Sequence, residues 1–166
     1  INPDFDSTAY PRRLKAEKDF DTGKNGNTVR SFNVSIAHLE TLGTLTDALK
    51  NGDLPLVNKV ANAWSQQTGG TAPVSFNAAK QIVGDEIVKA IVGSGGCVHD
   101  RQVIAEKINA SNSPAQLKEV ISTFKELMVG QLEGLGGQYK ATTGRDDFES
   151  KYLSDASRNV LKQKRE

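Results

Sequence analysis

The sequence predicts an all-α fold, a single helical domain of about five helices with an irregular N-terminal arm. Three observations predict it. Apolar residues recur at steps of three, four and seven over long stretches. Serine, asparagine and glycine cap signals bracket those stretches. Strand-like alternation is confined to Phe32-Asn33-Val34-Ser35-Ile36, inside an apolar run much longer than a strand. The 166 residues suit one domain, and a hydrophobic share of 37% is enough for a helical core of Leu, Ile, Val and Ala.

The first 28 residues read as an irregular arm, punctuated by Asn2-Pro3-Asp4 and Tyr10-Pro11, with room for a short charged helix from Arg12 to Phe20. Thr22-Gly23-Lys24-Asn25-Gly26-Asn27 reads as a turn-rich break. Asn27 then looks like an N-cap for a helix carrying Val29, Phe32, Ile36, Leu39, Leu42 and Leu49, which Asn51-Gly52 ends with a left-handed glycine. A second helix starts near Asp53 with Pro55 in its first turn and the stripe Val57, Val60, Ala61 and Trp64, and Thr68-Gly69-Gly70 closes it. A third runs from a Ser75 cap to Gly93, and Val103, Ile104 and Ile108 mark a short fourth after a glycine loop. Ser113-Pro114-Ala115-Gln116 is the clearest boundary, with serine to cap, proline at the first helical position and Gln116 to reach back. The long helix that follows carries Gly130, Gly134, Gly136 and Gly137, which weaken it alone and would let a neighbour, the Ser75–Val92 helix, approach closely. It ends at Thr142-Thr143-Gly144, and a thin tail helix follows Ser154. The expected division is an arm over 1–28, a helical domain over 29–153 and a charged tail over 154–166.

Charge is balanced overall, with 21 Lys+Arg against 20 Asp+Glu, so composition gives no strong nucleic-acid signal. It is uneven along the chain: residues 31–99 hold nine charges in 69 positions, against 32 in the other 97. The middle is therefore expected to be buried or covered, and the flanks solvated. A single cysteine excludes a disulfide framework and a cysteine-built zinc site. No stretch is long and apolar enough to span a bilayer. The start at Ile1-Asn2-Pro3, without an initiator Met or a signal-peptide pattern, reads as a piece of a longer protein.

Candidate chemistry is sparse, and no catalytic, cofactor or metal residue is assigned. Gly93-Ser94-Gly95-Gly96 lacks the Lys-Ser/Thr and the preceding strand of a phosphate loop. Cys97, His99 and Asp100 lack further ligands or an orienting third group, and His38, the other histidine, falls beside Leu39 on a helix. Asp85-Glu86 and Asp146-Asp147 are sequence neighbours, whose side chains diverge by about 100° on a helix. Glu149-Ser150 matches the catalytic Glu-Ser of lytic transglycosylases, but Glu149 lies in a charged segment, not an apolar one. The basic ends, Arg12-Arg13-Lys15-Lys18 and Arg158-Lys162-Lys164-Arg165, read as solvated faces. Asn33-Val34-Ser35 and Asn109-Ala110-Ser111 match the glycosylation sequon. The helix over 75–92 is apolar around a wide arc, so Ile82, Ile87, Val88, Ile91 and Val92 form a possible interaction surface if they are not simply core.

Several stretches in order resemble a known family: Gly26-Asn27-Thr28-Val29-Arg30-Ser31-Phe32-Asn33-Val34, Ala37-His38-Leu39-Glu40-Thr41-Leu42, the run Phe76–Gly93, Ser113-Pro114-Ala115-Gln116-Leu117-Lys118, and Tyr139–Phe148. Their sequence is similar to that of uncharacterised helical proteins encoded by tailed bacteriophages and prophages. The resemblance implies a non-enzymatic structural module of a virion-associated protein, of the internal or ejected type. It would be made in the host cytoplasm, reside in the particle, and act through helix–helix and protein–protein contacts with other virion proteins or with itself. An accessory, non-catalytic region of a peptidoglycan-degrading phage protein is the alternative. Neither implies a cofactor.

Overall fold

A computed structural model describes residues 9–93 and 98–166, the side chains of residues 92, 98–101 and 105 excepted. Among the described residues there are eight helical segments and no strand: α1 (Ala9–Thr22), α2 (Lys24–Asn51), α3 (Leu54–Thr68), α4 (Phe76–Gly93), α5 (Val98–Ala110), α6 (Pro114–Thr143), α7 (Phe148–Tyr152) and α8 (Asp155–Arg165). The all-α class holds. Seven of the segments are of eleven residues or more, so five was too few.

The cap chemistry explains most boundaries. Asp53 accepts a hydrogen bond from Leu56 N at the start of α3, and Ser113 and Ser154 do the same for Gln116 N and Ser157 N. Gln116 reaches back one residue further than a capping box requires, accepting from Asn112 N at 2.7 Å. Gly52, Gly69 and Gly144 terminate α2, α3 and α6 in the left-handed conformation.

The start of the chain corrects the sequence reading. The break expected over residues 22–27 shrinks to Gly23, the N-cap of α2, and Asn27 lies inside that helix. Glycine here serves close approach, not a turn. A Cβ on Gly26 would sit 2.3 Å from the carbonyl oxygen of Phe20, so only glycine lets α2 begin against the last turn of α1. The described part of the arm, from Ala9, is helix, and its Phe20 is buried at 1% exposure. Asn2-Pro3-Asp4 lies outside the described residues. The C-terminal stretch is likewise a packed helix, with Ser157, Val160 and Leu161 of α8 buried.

Helix α2 is the centre of the domain, packing against α1, α3, α4, α6, α7 and α8. Val29, Phe32, Ile36, Leu39, Leu42 and Leu45 are all within 1% of full burial. Helix α6 runs antiparallel to α2, since Lys118 pairs with Asp47 and Lys125 with Glu40. Helix α5 folds back along α4, with Lys80 Nζ donating to the Asn109 and Ser111 carbonyls and Ile108 beside Gly84.

The glycine-rich half of α6 faces α7 and α8 instead of α4. Gly136 lies against the Phe148 ring and Gly130 beside Lys164 Nζ, while Gly134 and Gly137 face open space. One end of the domain is closed by Phe20, Tyr139, Phe148 and Tyr152, whose ring centroids lie 5.2 to 6.0 Å apart. Such pairs add about 0.5–1.5 kcal/mol each beyond the area they bury. Although aromatic residues are few, four of them join α1, α6 and α7 at one point.

Candidate functional site

Among the described residues, the most enclosed carboxylate is that of Glu86 on α4, 6% exposed. It falls on the inward stripe of Ala79, Val83, Ile87 and Ala90, all fully buried. Its carboxylate is held at both oxygens: His38 Nδ1 of α2 lies 2.7 Å from Oε2, and Lys89 Nζ donates to Oε1 at 2.9 Å. A carboxylate only accepts, so Nδ1 carries the proton in this contact. The His38 ring meets the buried Trp64 of α3 edge-on, with centroids 5.3 Å apart. Burial by itself pushes the Glu86 carboxyl up, but the His38 and Lys89 hydrogen bonds outweigh it and hold it below its ordinary value. The cluster ties three helices together around an ionised group. With both oxygens engaged, Glu86 has the bonding of a structural ion pair.

A second polar cluster surrounds a cleft of about 200 Å³ between α6, α7 and α8. Glu149, the transglycosylase-like glutamate, accepts from Arg165 Nη2 at 2.8 Å and stands 45% exposed. Across the cleft Glu133 pairs with Lys164 and Arg165. The Lys164 hydrogen bond is the main reason its carboxyl lies below the usual range. Asp146 pairs with Lys140 of α6, and Asp147 accepts from the Tyr139 hydroxyl at 3.0 Å. Burial and that bond push the Tyr139 phenol up. Tyr152 is pushed up to about 12, by burial and then by its hydrogen bond to Asp21.

Of the five apolar residues singled out on α4, the structure describes the side chains of four. Ile87 is wholly buried, and Ile82 and Ile91 are half-buried against the core. Val88 is half-buried and lines a cleft of about 340 Å³ between α4 and α5, with Lys80, Gln81, Gly84 and Asp85. The side chain of Val92 lies outside the described residues, as do the Ser94–Cys97 stretch and the side chains of His99 and Asp100. Among the described residues, no group of three or more His, Cys, Asp or Glu could hold a metal, and no helix is long and apolar enough to cross a membrane.

The Asn33 sequon is spent on structure. The Asn33 amide donates to the Tyr152 carbonyl at 2.7 Å, and its oxygen accepts from Ser154 N and from Ser157 Oγ. Ser35 is 3% exposed, so neither end of that motif is free for modification. In the second sequon Ser111 is also buried.

Sequence reasoning missed the pairing of His38 with Glu86, which are 48 positions apart. The available signal was that Glu86 falls three residues after Val83 and four before Ala90, an acid on the inward stripe. Comparison with family models, characterised proteins and solved structures returns no match for this chain.

Proposed function

We propose that this chain is a non-enzymatic helical interaction module of a virion-associated bacteriophage protein, of the internal or ejected type. One observation carries the non-enzymatic part. Among the described residues, most of the groups nearest to catalytic patterns are engaged in contacts between or within helices: Glu86 with His38 and Lys89, Glu149 with Arg165, Asp146 with Lys140, and Asp147 with Tyr139. A general acid or base needs a free proton position facing a reacting group. These groups instead hold the helices in place.

The phage assignment rests on the sequence resemblance, and the fold is compatible with it. The partners would be other virion proteins or a second copy of the chain. Val88 and its cleft between α4 and α5 are the part of the expected α4 surface left within reach of a partner.

Mass spectrometry of particles purified after prophage induction of the encoding strain tests this. Peptides from this chain should co-purify with the capsid and tail proteins through a density gradient. Their confinement to the host lysate, with none in the particles, would overturn the assignment.

A further inference from the structure

The two basic ends of the chain differ once folded. In α8 three of the four bases are engaged, Lys162 being the exposed exception: Arg158 is bound to the Leu153 and Glu149 carbonyls and to Asp155, while Lys164 and Arg165 pair with Glu133 and Glu149. In α1 the allocation is reversed. Its three acids are spent: Glu17 pairs with Arg145, Asp19 accepts from Lys24 N, and Asp21 accepts from Tyr152 and pairs with Lys151. Its four bases, Arg12, Arg13, Lys15 and Lys18, are exposed, and their side chains make no hydrogen bond or ion pair with the described residues.

Three of these bases, Arg12, Arg13 and Lys15, line one open groove of about 650 Å³ between α1 and the last turn of α6. Its walls are small: Ala9, Ala16, Ala141 and Thr142, with Asp19 at one end. We propose that this groove binds the phosphate backbone of nucleic acid. The proposal stands on the charges of α1 alone and is independent of the interaction-module reading.

Three considerations favour phosphates over an acidic protein. Arginine guanidinium groups match phosphate oxygens in a two-pronged fashion, and two arginines line this groove. Arg12, Arg13 and Lys15 lie within about 4.5 Å of helix axis, so their long side chains can reach neighbouring phosphates at ~3.4 Å of rise each. A protein partner draws most of its affinity from a buried apolar anchor, and walls of alanine and threonine provide no pocket for one. Backbone binding needs only the charges. The balanced composition conceals this site, because the three acids of α1 that offset its bases in the count are already bonded to other groups.

Fluorescence anisotropy with a short labelled oligonucleotide, single-stranded and as a duplex, tests the proposal. Wild type should bind both, with affinity falling about 40-fold for the duplex and about 20-fold for the single strand between roughly 50 and 200 mM salt, as three neutralised phosphates require. Arg12→Gln/Arg13→Gln/Lys15→Gln should weaken binding at least about tenfold and flatten the salt dependence. Lys164→Gln/Arg165→Gln should change it less than about twofold, because those charges are already paired. Circular dichroism checks that each variant folds. Should the triple variant lose helix, Arg12→Gln and Lys15→Gln singly should each weaken binding about two- to fourfold. No binding by wild type at the lower salt, equal losses in both multiple variants, or displacement of the oligonucleotide by polyglutamate at equal charge would each overturn the proposal.

Discussion

Gly136 of α6 lies so close to Phe148 of α7 that a Cβ at that position would meet Cδ1 of the ring at 2.9 Å. Phe20, Tyr139 and Tyr152 pack against the ring and hold it in place. Gly134 and Gly137, one turn or less away, have nothing within 4 Å. Alanine should therefore act oppositely at neighbouring positions. Gly136→Ala should lower stability by about 1 kcal/mol or more, overpacking outweighing the gain in helix propensity. Gly134→Ala and Gly137→Ala should each raise it by about 0.5–1 kcal/mol. Urea midpoints for the three variants check this, and a rise in all three would contradict the packing described.

Asn33 should be the clasp of the C-terminal helix. Asn33→Ala removes the donor to the Tyr152 carbonyl and the acceptor for Ser154 N and for the buried Ser157 hydroxyl, which keeps only its contact with Ser154 Oγ. A loss of about 2 kcal/mol is expected. Hydrogen exchange should quicken first in the amides of α8, while α2 and α6 keep their protection.

Glu86 makes stability depend on acid. Its folded carboxyl titrates below its unfolded value, so its contribution is present above the ordinary carboxylate range and is lost as pH falls through the folded value. Glu86→Gln should cost about 1–3 kcal/mol near neutrality. The difference in melting temperature between wild type and variant should narrow below about pH 4. A constant difference from pH 7 to 3 would show that the charge is not what stabilises.

Tyr152 sets the alkaline limit with the opposite sign. Its folded value is raised to about 12, so its stabilisation is complete below the ordinary phenol value and fades as pH rises through the folded one. Phenolate absorbance during alkaline titration should show a late component near pH 12 that Tyr152→Phe removes.

How much of this was legible in the sequence depends on whether a signal is local. Asp53, Ser75, Ser113, Gly52, Gly69 and Gly144 mark helix ends through bonds or dihedral angles a few residues away, and each was readable in order. The Gly23–Gly26 junction was not, because glycine looks the same whether it makes a turn or admits a backbone carbonyl, here that of Phe20. The pairing of His38 with Glu86 was hidden because it joins helices far apart in the chain. The contrast between the basic ends was hidden for the same reason. Arg165 and Arg12 read alike until Glu149 is placed beside one, and open solvent with an alanine-walled groove beside the other.

The central claim is that the carboxylates resembling catalytic groups serve architecture. Peptidoglycan turnover by the purified chain, measured beside Glu149→Gln, tests it most directly. Glu149 is bonded to Arg165 and stands 45% exposed. Both proteins should release no soluble muropeptides above the buffer control. Release by the wild type that Glu149→Gln abolishes, with the variant still folded, would contradict the claim.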